Sequence, residues 1–314
     1  MSVTHVSGVF EGGGVRGIAL AGAAAAAMER GVEFEEAVGT SAGGLVASLV
    51  AAGYDPEGLA TAVCSVDWPG LLDPVWVTRI KGVGPHLALF FHRGLYKGKR
   101  LEKEWGRLLK AKGIRTFGDL PAGRLRVVTT DLSHQAGVVL PDDLPHYGID
   151  PDTFPVARAL RMSAAVPFMF KPVRLESPTV GEDVLFADGA MASNYPIEAA
   201  SPGRPVLGFR LFQDAGTHPH IGVKGPFTLA RTVVLSGIQA RYGLPPAKYA
   251  DETVIRVPVS ADLDFDLSPT EAEEVFMRGK RAAGEQLDDL VGPVVAPAGD
   301  GAHCEPEERS RGRG

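Results

Sequence analysis

Between residues 5 and 53 the chain alternates short apolar strings with runs of small residues, and glycine punctuates each change. "HVSGVF" (5–10) predicts a short buried strand. "EGGGVRG" (11–17) predicts a tight glycine turn, and "IALAGAAAAAMERG" (18–31) a small-residue helix closed by Gly31. "FEEAVG" (34–39) predicts a second strand. "SAGGLVASLVAAG" (41–53) predicts a second small-residue helix, again stopped by glycine. Small side chains let both helices pack closely onto a sheet. The βαβα order is the opening of a parallel, doubly wound sheet, which sets the fold class as α/β.

Residues 66–96 break that rhythm. They are rich in Trp, Leu and Phe but are cut by Pro and Gly, which suits either a cap over a pocket or a packed insertion. "KRLEKEWGRLLKAKG" (99–113) has the period of an amphipathic helix. "RLRVVTTDL" (124–132) predicts a strand with "GVVLP" (137–141) as its partner. "FPVARALRMSAAVPFMF" (154–170) predicts a helix ending before Pro167, and "DVLFADGA" (183–190) a strand running into a turn. Strands at 204–212 and 252–259 and helices at 227–243 and 268–291 complete the pattern. From Pro293 onward Pro, Gly and charge dominate, so residues 1–292 read as one domain and 293–314 as a disordered tail.

The 314 residues suffice for a sizeable core. Thirty-two basic against 38 acidic side chains give a net charge of −6. That balance argues against electrostatic binding of the whole chain to nucleic acid or an anionic membrane and leaves open only a local patch. Cys64 and Cys304 have neither disulfide nor metal-ligand spacing, which points to a reducing cytoplasm. The N-terminal stretch lacks the form of a secretory signal. "IALAGAAAAAM" is too short to span a bilayer.

Three features carry candidate chemistry. In "EGGGVRG", Gly12, Gly14 and Gly17 fit G-x-G-x-x-G between a strand and a helix. Such a turn aims free N–H groups at an anion, which could be a dinucleotide pyrophosphate or an oxyanion of acyl transfer. Glu35 and Glu36 lie near the spacing at which a dinucleotide site needs an acid, but the second strand runs straight into "GTSAGG". "GTSAG" (39–43) fits G-x-S-x-G, in which the serine sits on a sharp strand-to-helix turn. Gly39 and Gly43 relieve clashes there, and Ser41 projects above a helix N-terminus. "FADGA" places Asp188 at a strand end before Gly189 and Ala190.

A serine hydroxyl needs a base. The chain has eight histidines, of which His218 and His220 follow Asp188 in the order Ser…Asp…His, which is the α/β-hydrolase order. They lie in a polar loop, and only two predicted strands precede Ser41, fewer than that arrangement needs. Asp188 acting directly on Ser41 is the alternative, with partial burial raising its basicity.

With "EGGGVRG", "GTSAG" and "DGA" in this order, the sequence resembles the patatin-like phospholipase family. Supporting stretches are "GLYKGKRLEKEW" (94–105), "LRVVTTDL" (125–132), "ALRMSAAVPFMFKPV" (159–173) and "NYPIEAA" (194–200). The resemblance implies a three-layer α/β/α fold with a mainly parallel central sheet, and a serine lipid acyl hydrolase with a Ser–Asp dyad. It implies Ser41 as nucleophile and Asp188 as base. Gly12, Gly13 and Gly14 would form the oxyanion hole, and Arg16, Gly17, Gly39, Gly43, Gly189 and Ala190 would support it. Glu11 stands where plant and animal members often have Asp. Neither metal nor cofactor is implied.

The expected partner is a lipid or other acyl ester, met in the cytoplasm with transient contact at a membrane surface and no role for nucleic acid. Trp68, Leu71, Leu72, Trp76, Leu87, Phe90 and Phe91 are candidates for an acyl pocket, a membrane-touching cap or simple core packing. Two other functions stay open at this point. One is a signal-activated regulatory protein of the same fold, using 214–250 as a binding surface. The other is a dinucleotide-binding oxidoreductase.

Overall fold

A computed structural model describes residues 4–79, 84–212, 222–223, 225–240, 252–260 and 264–291. His218, His220, most of the 214–250 stretch and the tail from Pro293 lie outside the described residues. The strands are β1 (Thr4–Phe10), β2 (Val32–Thr40), β3 (Gly94–Tyr96), β4 (Leu125–Asp131), β5 (Ala136–Leu140), β6 (Phe168–Phe170), β7 (Val173–Glu176), β8 (Asp183–Asp188), β9 (Val206–Phe212) and β10 (Glu252–Pro258). The helices are α1 (Gly17–Glu29), α2 (Ala42–Ala51), α3 (Pro56–Cys64), α4 (Gly84–His92), α5 (Lys99–Ala111), α6 (Val156–Ser163), α7 (Pro226–Ala240) and α8 (Pro269–Val291).

The main sheet runs β10-β9-β1-β2-β4-β8-β7, with β5 also paired to β4. From β10 to β4 every pairing is parallel, whereas β8, β7 and β5 run antiparallel to their neighbours. The fold is thus α/β with a mostly parallel central sheet. Alternate residues of β1 face opposite sides, as the strand period requires. Val6 and Phe10 join the larger core with α1, α2, α3, α5, α6 and α8. Val9, Val38 and Val128 face a thinner layer built by Tyr195, Ile197 and Ala199.

The alanine run of α1 is buried from Gly17 to Ala27. Its small side chains let α8 approach so closely that the Ala19 carbonyl lies where a Cβ on Gly279 would sit. Such contact leaves no room for a branched residue.

Three departures from the sequence pattern stand out. Helix α3 occupies part of the stretch between 53 and 66 that the pattern leaves unassigned. Pro56 opens it, and the Asp55 side chain caps the Gly58 N–H at 2.8 Å. The helix expected to end just before Pro167 stops at Ser163. Beyond it Ala165 gives its carbonyl to the Asp188 N–H at 3.0 Å, and Phe168–Phe170 pairs with β3. Tertiary partners there replace helical hydrogen bonds. The 66–96 segment divides in two. Trp68 and Leu71 are core residues, while Trp76, Phe90 and Phe91 stand in solvent.

Candidate active site

Strands β2 and β8 approach the site from opposite directions and stop at adjacent levels of β4. Thr40 pairs with Val128, and Asp188 pairs with Thr129. That register brings the residue after Thr40 beside the end of β8. The Ser41 Oγ donates to Asp188 Oδ2 at 2.7 Å.

Ser41 occupies a left-handed backbone region, with φ of 52°. A non-glycine residue is rare there, and such strain persists only where surrounding structure fixes it. Two contacts fix it here. A Cβ on Gly39 would strike the Gly43 backbone, and one on Gly43 would strike the Phe10 carbonyl. Strand and helix backbones therefore touch, and only glycine fits. In addition, the Ser41 N–H donates to Ser163 Oγ at 2.8 Å, and that hydroxyl donates to the Val128 carbonyl at 2.6 Å. Ser163, fully buried at the end of α6, thus ties the elbow to the middle of β4.

Asp188 is 1 % exposed. Its Oδ1 accepts the Ala190 N–H at 2.8 Å, and its own carbonyl accepts from Thr130 Oγ1 at 2.8 Å. Burial pushes its carboxyl up to about 6, against the downward pull of the Ser41 and Ala190 hydrogen bonds. Gly189 packs against the Val128 carbonyl.

The glycine turn follows β1. Gly12 gives its N–H to the Asn194 carbonyl at 2.8 Å. Among the described residues, no protein acceptor engages the N–H groups of Gly13 and Gly14. Arg16 folds back, its Nε donating to the Gly13 carbonyl at 3.1 Å, and Gly17 opens α1. Behind the turn lies Glu11, 1 % exposed. It accepts from the Leu211 N–H at 2.7 Å and from Asn194 Nδ2 at 3.2 Å, with Arg210 at 3.6 Å. Burial pushes the Glu11 carboxyl up to about 7 although Arg210 opposes it. Asn194 and Ser193, just downstream of Asp188, close the arrangement. Thr40 Oγ1 donates to the Ser193 carbonyl at 2.8 Å.

Every position named from the three motifs therefore falls in one cluster. Sequence reasoning missed Ser163, Asn194 and Thr130 as parts of it. Ser163 and Asn194 stand inside stretches that carried the family resemblance, but nothing in their local pattern marks them. Glu36, the acid near the dinucleotide spacing, is in mid-strand. It is fully buried and bonded to Ser7 and Ser201, so it does not face a ribose. Among the described residues, no group of three or more His, Cys, Asp or Glu is placed to hold a metal ion, and no helix is long and apolar enough to cross a membrane.

A family model described as "Patatin-like phospholipase" matches residues 8–201. The chain is similar to the protein YqhO of Bacillus subtilis, 37% identical over 281 residues covering 88% of this chain and 96% of that one. It is also similar to protein R571 of Acanthamoeba polyphaga mimivirus, 26% identical over 194 residues covering 60% and 59% of the two chains. Among solved structures, VipD from Legionella pneumophila matches with a TM-score of 0.54 at 16% identity, covering 92% of this chain and 67% of that one. At that identity the likeness concerns the fold.

Proposed function

The chain belongs to the patatin-like phospholipase family, a family of lipid acyl hydrolases, and from that premise we propose that it cleaves acyl esters through an acyl-enzyme on Ser41, with Asp188 as the base. The observation that carries this reading is the 2.7 Å hydrogen bond from Ser41 Oγ to Asp188 Oδ2 in a buried setting. In the first step Oγ attacks the ester carbonyl carbon while its proton passes to Asp188. The carbonyl oxygen becomes an oxyanion facing Gly13 and Gly14, whose N–H groups are the open donors of the turn. Gly12 plays a different part, since its N–H already holds Asn194.

Asp188 then returns the proton to the alkoxy oxygen as the ester bond breaks, and the alcohol leaves. Water takes the alcohol's place. Asp188 removes its proton, the hydroxide attacks the acyl carbonyl, and Ser41 departs with the proton restored. An aspartate near its usual value is a weak base for an alcohol. Burial that lifts Asp188 to about 6 brings its basicity closer to neutrality while leaving it ionised at pH 7. The substrate class is a lipid or other acyl ester. The test is hydrolysis of a short p-nitrophenyl ester by wild type, Ser41→Ala and Asp188→Asn. Near-abolition in both folded variants supports the dyad, and full activity in either one refutes it.

A further inference from the structure

Three aromatic side chains stand far out in solvent, with Trp76, Phe90 and Phe91 exposed by 67, 74 and 68 %. All belong to one short unit, the turn Trp76–Arg79 and helix α4 packed on it. The unit is folded with an inner face of its own, where Val75, Val77 and Ala88 are buried. Its rings are therefore not core residues left without a core. Phe90 and Phe91 meet edge to face at 5.0 Å. Apolar surface of this kind held against water marks an interaction site.

The stretch of chain between Asp73, whose buried carboxylate caps the Gly98 and Lys99 N–H groups, and Glu102 is one-sided in charge. Residues 74–101 contain no Asp or Glu but six cations, Arg79, Lys81, Arg93, Lys97, Lys99 and Arg100, in a chain of net charge −6. Arg93, Lys97 and Lys99 are exposed, and none forms an ion pair among the described residues. A second copy of the chain fits this surface poorly, because a two-fold contact would set like charges face to face. A layer of lipid phosphates with apolar material beneath fits both features at once.

The unit is also fastened beside the site. Gly94 of β3 pairs with Phe168 of β6. Arg161 on α6 donates to the carbonyls of Lys97 and Lys171 at 2.7 and 2.6 Å. Two residues further along the same helix, Ser163 holds the Ser41 N–H. One helix thus braces the elbow and the base of the aromatic unit.

We propose that the turn Trp76–Arg79, helix α4 and the segment from Arg93 to Lys99 form a docking element for an anionic lipid surface, with Trp76, Phe90 and Phe91 entering the headgroup boundary and Arg93, Lys97 and Lys99 meeting lipid phosphates. This rests on the lipid hydrolase reading, since docking would present a bilayer to the neighbouring Ser41. The test is co-sedimentation of the full chain with vesicles of phosphatidylcholine alone, or with about one quarter phosphatidylglycerol added.

Wild type should sediment with the anionic vesicles, less with neutral ones, and less again as salt rises. Phe90→Ser with Phe91→Ser should weaken vesicle binding by about tenfold or more. Lys97→Glu with Lys99→Glu should lower binding to anionic vesicles while leaving the neutral level unchanged. In both double variants hydrolysis of a water-soluble short ester should stay at the wild-type rate. Failure of wild type to sediment, or equal sedimentation of the Phe double variant, would overturn the docking element. Ser41→Ala should sediment as wild type does, so loss of the hydrolase reading is measured apart from loss of docking.

Discussion

At Ser41 the geometry comes from the backbone. A strained φ, two glycines in contact with neighbouring backbone and one bond from Ser163 hold the hydroxyl in place. At Asp188 the backbone is ordinary, extended up to the turn, and the position comes from elsewhere in the fold. An antiparallel strand ends opposite Thr129, and Ala165, Ala190 and Thr130 fix the peptide and the carboxylate. One half of the pair is thus set by local chain chemistry and the other by tertiary register. The first should fail when the turn is disturbed, and the second when charge or partners change.

The largest effects should come from removing either half. Ser41→Ala and Asp188→Asn should each lower ester hydrolysis by about a thousandfold or more, read as kcat/KM on a short ester. Gly43→Ala attacks only the elbow. Its methyl would meet the Phe10 carbonyl, so the variant should lose about 1–3 kcal/mol of stability in urea titration, with activity falling alongside.

Ser163→Ala is the milder test of the same elbow. It leaves the Ser41 N–H and the Val128 carbonyl without their partner. We expect kcat to fall by roughly ten- to a hundredfold with KM nearly constant, as for a misplaced nucleophile.

The Asp188 half should answer to pH instead. The carboxylate must be ionised to accept the proton, so kcat/KM should rise with pH through about 6. Glu11→Gln should leave that limb where it is, because Glu11 titrates nearer 7 behind the glycine turn. A limb that moves with Glu11→Gln would assign it to the wrong carboxyl.

Stability supplies a smaller, independent reading. A folded value raised from 3.8 to about 6 favours the protonated fold. The associated stability is present below pH 3.8 and lost as pH rises through 6, roughly 3 kcal/mol by linkage. Asp188→Asn should therefore melt increasingly above wild type between pH 4 and pH 7.

The same contrast explains what the sequence could reveal. The elbow was legible because its demands are local. Glycines two before and two after Ser41, with a strand behind and an apolar helix ahead, are visible in a string of letters. The glycine turn was legible for the same reason, although its role for Gly12 was not. That residue's N–H is taken by Asn194, nearly two hundred positions away in the chain. Asp188 stands before a glycine in a pattern common to many turns, and only the need of Ser41 for a base and the order of the three motifs single it out. Its meeting with Ser41 depends on β8 running against β4, and no local pattern encodes strand direction. Ser163 was hidden inside a predicted helix whose end depends on contacts made by Ala165 and Phe168. The aromatic unit divided in a way composition could not foresee, since Trp68 and Trp76 differ only in what the fold brings over them.

Covalent labelling reads the central pairing most directly. Wild-type protein treated with a fluorophosphonate at pH 7 and mapped by peptide mass spectrometry should carry the label on the peptide containing Ser41. Asp188→Asn should label far more slowly, and Ser41→Ala not at all. Label on another residue, or undiminished labelling in Asp188→Asn, would contradict the assignment of nucleophile and base.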